Sequence, residues 1–140
     1  MNNSIPQTAQ NREQQLLALT SENVSHTLKE DLPILLKFWA PWCQPCRALE
    51  PTIKKLRESY LGYLTVAKVN VDLQHELAKR FNVRSIPTVL LYNRGQELVR
   101  LVAGEYTYDQ LLSELEPYLS ATAIRPSERF PERRSMARAG

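Results

Sequence analysis

At 140 residues the chain has room for one domain of about 100 residues with short extensions, a size that folds without disulfides or metals. Its 43% hydrophobic and 24% charged fractions are those of an ordinary globular protein and exclude wholesale disorder. The formal charge of +3 belongs to one end: residues 1–120 hold thirteen basic and thirteen acidic side chains, while 121–140 hold five arginines (Arg125, Arg129, Arg133, Arg134, Arg138) against Glu128 and Glu132.

Residues 1–13 are polar and read as an extension. The opening MNNSIPQTAQNREQQ lacks a basic segment followed by an apolar core, so it does not read as a secretory signal. No stretch approaches the roughly 18 apolar residues of a membrane helix. QQLLALT (14–20) predicts an edge strand, and Ser21 is expected to cap a short helix running to about Glu30, with Val24 and Leu28 on one face. PILLKFWA (33–40) is almost continuously apolar, as a buried parallel strand is. From Cys43 to Tyr60 the residues Leu49, Ile53 and Leu56 recur at helical spacing, and the pattern continues past Pro51. YLTVAKVNVD (63–72) alternates as a strand, and Leu73 to Phe81 forms a short helix with Leu77 and Phe81 four apart.

TVLLYN (88–93) and QELVRLVA (96–103) flank Arg94-Gly95, a hairpin turn. Thr107 is expected to cap a last helix to about Leu119, with Leu111, Leu112, Leu115 and Leu119 as its core stripe. This order predicts an α/β domain over 14–120, with the first three strands parallel and the last two antiparallel. Residues 121–140, rich in Arg, Pro and Ser without periodicity, are expected to be a basic, solvated tail; nucleic-acid binding is not expected of it. No strand-to-helix turn carries a glycine-rich phosphate loop, so nucleotide binding is a poor reading.

The chemistry sits at Cys43 and Cys46. Cys43 follows a strand directly and opens a helix, where unpaired backbone N–H groups and the helix dipole stabilise a thiolate. Cys46, three residues on, is placed to displace a mixed disulfide from Cys43. Pro45 in the first turn costs no hydrogen bond, and Arg47 adds positive potential. The bland alternatives for a C-x-x-C pair are half a zinc site or two inert core thiols. Zinc needs four ligands, and the other soft candidates, His26 and His75, read as isolated surface residues. No metal or cofactor is therefore expected. Two cysteines without a signal segment point to a reducing compartment, with the cytoplasm as the default.

FWAPWCQPC, the downstream RSIPTVLLYNRGQ and LVAG resemble the thioredoxin family, in register from about Leu16 to Leu119. The resemblance implies a five-stranded mixed sheet of order 1-3-2-4-5 flanked by four helices. It implies a protein-disulfide oxidoreductase, a monomer serviced by a reductase of the thioredoxin reductase type. Cys43 becomes the nucleophile and Cys46 the buried resolving thiol. Pro87 becomes a cis-proline facing the disulfide, and Trp42, Gln44, Ile86, Pro87, Ala103 and Gly104 become the rim of a groove for a substrate polypeptide. Phe38 and Trp39 read as packing residues. A binding or chaperone-like module using that groove, with the thiols secondary, is the main alternative; an iron–sulfur site shared across a dimer is a weaker one.

Two departures from the family pattern stand out. Gln44 replaces the usual glycine between the cysteines. Lys37 stands where the family carries a buried aspartate that assists proton transfer at the resolving cysteine, and Lys68 falls where it carries a neighbouring lysine. The sequence thus predicts two lysines on adjacent strands. A cation beneath the thiols stabilises a thiolate where a carboxylate opposes it, so Lys37 is expected to raise the reduction potential by on the order of 20 mV over a relative with aspartate there.

Overall fold

The computed structural model describes residues 16–102, 104 and 106–122. Nine elements follow one another: β1 (Leu17–Ala18), α1 (Val24–Leu28), β2 (Ile34–Trp39), α2 (Gln44–Ser59), β3 (Thr65–Asn70), α3 (His75–Arg80), β4 (Thr88–Asn93), β5 (Gln96–Val102) and α4 (Tyr108–Thr122). The strands form one sheet of order β1-β3-β2-β4-β5. β1 and β2 run parallel to β3, and β4 is antiparallel to both β2 and β5. This is the mixed sheet with four helices that the resemblance implies.

β2 reads as continuously apolar because both of its faces are covered. Leu35 lies in a core with Leu49, Ile53 and Leu56 of α2 and Leu111, Leu115 and Leu119 of α4. Ile34, Leu36 and Phe38 point the other way, into a core with Val24 of α1, Leu77 of α3 and Phe81. Strand alternation therefore sends Lys37, between Leu35 and Trp39, toward α2.

The ends of several elements differ from the sequence reading. The first strand is two residues long, because it has a single neighbour, β3, to hold it. Ser21 does not cap α1. The Thr20 hydroxyl accepts from the N–H groups of Glu22 and Asn23, and the Asn23 side-chain oxygen accepts from Thr20 N–H at 2.8 Å, so this polar turn sets the start at Val24. Ser21 instead sends its N–H to Gln74.

Thr107 does cap the last helix. Its hydroxyl accepts from Gln110 N–H at 3.1 Å while Gln110 Oε1 accepts from Thr107 N–H at 2.9 Å, a reciprocal capping box. α4 runs on through Pro117 to Thr122, two residues into the segment read as tail. The extension 1–13 and the tail from 123 lie outside the described residues.

Candidate active site

The redox pair is built by the junction of β2 and α2. After Trp39 the chain turns, with Cys43 N–H bonded to the Ala40 carbonyl at 3.1 Å, and Cys43 becomes the N-cap of α2 with extended backbone dihedrals. Its Sγ accepts from Cys46 N–H at 3.2 Å, satisfying one of the amides a helix start leaves unpaired. Cys43 and Cys46 are joined by a disulfide. Pro45 occupies the first turn, where its missing N–H leaves no gap in the helix ladder.

Cys46 has no exposed surface and Cys43 retains 4%. Both pack with Ala40 against Trp39, Val71 and Ile86. Cys43 is therefore more enclosed in the disulfide form than its place at a helix start suggested.

Around the pair, Gln44 and Pro45 are exposed on one side and the Ile86–Pro87 peptide, which is cis, lies on the other. Trp42 is 67% exposed, and its indole N–H donates to Asp72 Oδ2 at 3.0 Å. Gly104 sits where any Cβ would come within 2.9 Å of the Tyr106 ring, so a larger residue there has to displace that ring. Ala103 lies outside the described residues. His26 and His75 are both exposed, and among the described residues no group of three or more His, Cys, Asp or Glu side chains is placed to hold a metal.

Lys37 and Lys68 are direct neighbours in the β2–β3 register, as the sequence predicted. Lys68 is half-buried and holds its ammonium 4.9 Å from the centre of the Trp39 ring. Lys37 is completely buried, and its Nζ pairs with Glu50 Oε1 of α2 at 2.9 Å. Burial pushes the Lys37 amine below the usual lysine range; the hydrogen bond and charge of Glu50 oppose that shift, and Lys68 adds to it. Lys37 is thus not a lone cation. The Glu50 carboxylate compensates its field at short range, so the rise of on the order of 20 mV expected of an uncompensated cation at Lys37 does not follow.

Glu50 and Asp72 are the two site residues that the sequence reading missed. Glu50 carried a signal, since it falls four residues after Cys46 and three before Ile53 on the buried stripe of α2. Asp72 carried none: its contact with Trp42 joins residues 30 apart in the chain.

A thioredoxin family model matches residues 15–117. The chain is 39% identical over 92 residues to thioredoxin 1 of Nostoc sp., covering 66% of this chain and 85% of that protein. It is 40% identical over 92 residues to a thioredoxin of Synechocystis sp., with the same coverage. It is 38% identical over 93 residues to the chloroplastic M-type thioredoxin of Spinacia oleracea, covering 66% of this chain and 51% of that one. With a helix-capping Cys43–Cys46 disulfide on a 1-3-2-4-5 sheet, and a family match across nearly the whole described domain, the chain belongs to the thioredoxin family.

Proposed function

We propose that the protein is a thiol–disulfide oxidoreductase acting on protein disulfides, with Cys43 as the attacking thiol and Cys46 as the resolving one. The observation that carries this reading is Cys43 Sγ at the N-cap of α2, where it receives the Cys46 N–H. A thiolate at that atom is favoured by the same amide and by the positive end of the helix dipole. Cys43 also keeps the small exposed surface that Cys46 lacks.

In the reaction, the Cys43 thiolate attacks one sulfur of a substrate disulfide and expels the other as a thiolate. Cys46, held three residues on with its Cα 5.3 Å from that of Cys43, then attacks Cys43 Sγ. The Cys43–Cys46 bond forms and the second substrate sulfur leaves reduced. A dithiol donor, a reductase of the thioredoxin reductase type, returns the pair to its reduced state.

Exposed Trp42 and Gln44, half-buried Ile86, buried Pro87, and Ala103 with Gly104 would border the groove for an extended substrate segment. Such a segment can pair with backbone at Ile86, in the manner of strand addition. We place the protein, as a monomer, in the cytoplasm, a reducing compartment in which a two-cysteine chain serves as a redox pair rather than a disulfide scaffold.

Insulin reduction with dithiothreitol as donor tests the reading. Wild type should accelerate it, and Cys43→Ser should abolish the acceleration. Cys46→Ser should trap a mixed disulfide on Cys43. Trapping of the mixed disulfide on Cys46 in the Cys43→Ser variant, with none on Cys43 in Cys46→Ser, would reverse the two roles.

A further inference from the structure

Deprotonating Cys46 is a problem that this structure poses and answers. The resolving thiol has no exposed surface, so bulk water does not reach it to take its proton, and the thiol itself is a poor nucleophile. Cys46, Leu49, Glu50 and Ile53 share the sheet-facing side of α2; Cys46, Leu49 and Ile53 are buried, and Glu50 is the carboxylate among them. Glu50 follows Cys46 by four residues, one helical turn.

Its carboxylate is tied down from below. Lys37 rises from the middle strand of the sheet, flanked in register by Val89 of β4 and Lys68 of β3, and holds Glu50 Oε1 at 2.9 Å. A lysine with no exposed surface is costly to keep, and Glu50 is the carboxylate that Lys37 pairs with.

We propose that Glu50 is the proton acceptor for Cys46 when the mixed disulfide is resolved, and that Lys37 is the positioning residue that holds the Glu50 carboxylate in place on α2. This rests on the assignment of Cys46 as the resolving thiol. The proton passes from Cys46 Sγ to the Glu50 carboxylate. The Cys46 thiolate attacks Cys43 Sγ, the Cys43–Cys46 bond forms, and the bond from Cys43 to the substrate sulfur breaks. The substrate departs as a thiolate and takes a proton from water. With one oxygen on Lys37, Glu50 keeps a second for the incoming proton. A side chain one third exposed can then pass that proton to solvent. In the reductive direction the same route returns a proton to Cys46.

The carboxylate works in a cationic setting. Lys37 and Lys68 face it from β2 and β3, and Arg47 and Lys54 lie three residues before it and four after it on α2.

The two chemical steps separate in a stopped-flow reaction of the reduced protein with 5,5′-dithiobis(2-nitrobenzoate). The first thionitrobenzoate is released when Cys43 attacks, and the second when Cys46 resolves the adduct. Glu50→Gln should leave the first release within about twofold of wild type and slow the second at least about tenfold at pH 7. The deficit should shrink as the pH rises, because hydroxide then competes as the proton acceptor. Lys37→Met should slow the second release alone, by less.

The double variant Lys37→Met/Glu50→Gln carries no unpaired buried lysine and should show the full slowing, so the test does not depend on how the single variant folds. A second release at the wild-type rate, or one slowed by the same factor at every pH, overturns the proposal. Loss of the first release in Cys46→Ser, with its retention in Cys43→Ser, would instead overturn the assignment of the two cysteines.

Discussion

A lysine ammonium with no exposed surface must recover its lost hydration from its neighbours, and Lys37 has Glu50 for that purpose. The asymmetry of the pair makes a prediction. Glu50→Ala strands a buried charge and should cost about 3 kcal/mol at neutral pH, the low end for a broken buried pair because Glu50 is partly hydrated. Lys37→Met leaves Glu50 free to turn to water and fills the site with a side chain of similar length, so its cost should be below about 1 kcal/mol or of the opposite sign. Urea denaturation of the two variants reads the difference, and equal losses would mean that the pair behaves as an exposed one.

Lys37 also makes stability depend on pH. Its folded pKa lies below the ordinary 10.5, chiefly through desolvation. Between that lowered value and 10.5 the unfolded chain binds more protons than the folded one, so stability contributed by this group rises with pH. Relative to Lys37→Met, wild type should therefore gain stability on moving up through that window.

The elements show which local signals are strong enough to set a boundary. Cys43 and Thr107 both cap helices through their own side chains, and both helices start where the sequence places them. Ser21 had the right residue type for α1, but Thr20 and Asn23 make the hydrogen bonds, and residue type alone does not choose among adjacent capping candidates. The hairpin between β4 and β5 turns on Arg94 at φ 54° and Gly95 at φ 79°, two consecutive left-handed residues of the kind that a two-residue turn with the strands' own twist requires. Only the second is a glycine. Arg94→Asn should therefore stabilise the protein by about 0.5 kcal/mol, because asparagine tolerates that conformation better. Gly95→Ala should destabilise it by about 1 kcal/mol through backbone strain, since open space surrounds the added carbon. Thermal melts of the two variants should move in opposite directions.

For the whole molecule, the element order and the placement of the cysteine pair were legible because their signals are local: a strand ending at Ala40, a cysteine at the next helix start and a hairpin around Gly95 are each written within ten residues, whereas the sheet order came only with the resemblance to the thioredoxin family. What was not legible spans the chain. Glu50 could be paired with Lys37, and Asp72 with Trp42, only once α2 lay on β2 and the end of β3 came beside the active-site turn. The same assembly puts the chemistry at one end of the sheet, where β2 ends, β3 ends and antiparallel β4 begins, so the pair rests on a strand held from every side. β2 is hydrogen-bonded on both sides, to β3 and to β4, and covered on both faces. β1, by contrast, is two residues on one edge, with both side chains exposed. Local openings should therefore release β1 long before β2. In native-state hydrogen exchange the amides of Leu35 to Phe38 should exchange only through global unfolding, with denaturant sensitivity equal to that of the equilibrium transition. The amides of Leu17 and Ala18 should exchange through small openings that denaturant barely affects. Exchange of the β2 amides through such small openings would mean that the platform under Cys43 yields locally, and the geometry of the redox pair would then owe its rigidity to α2 alone.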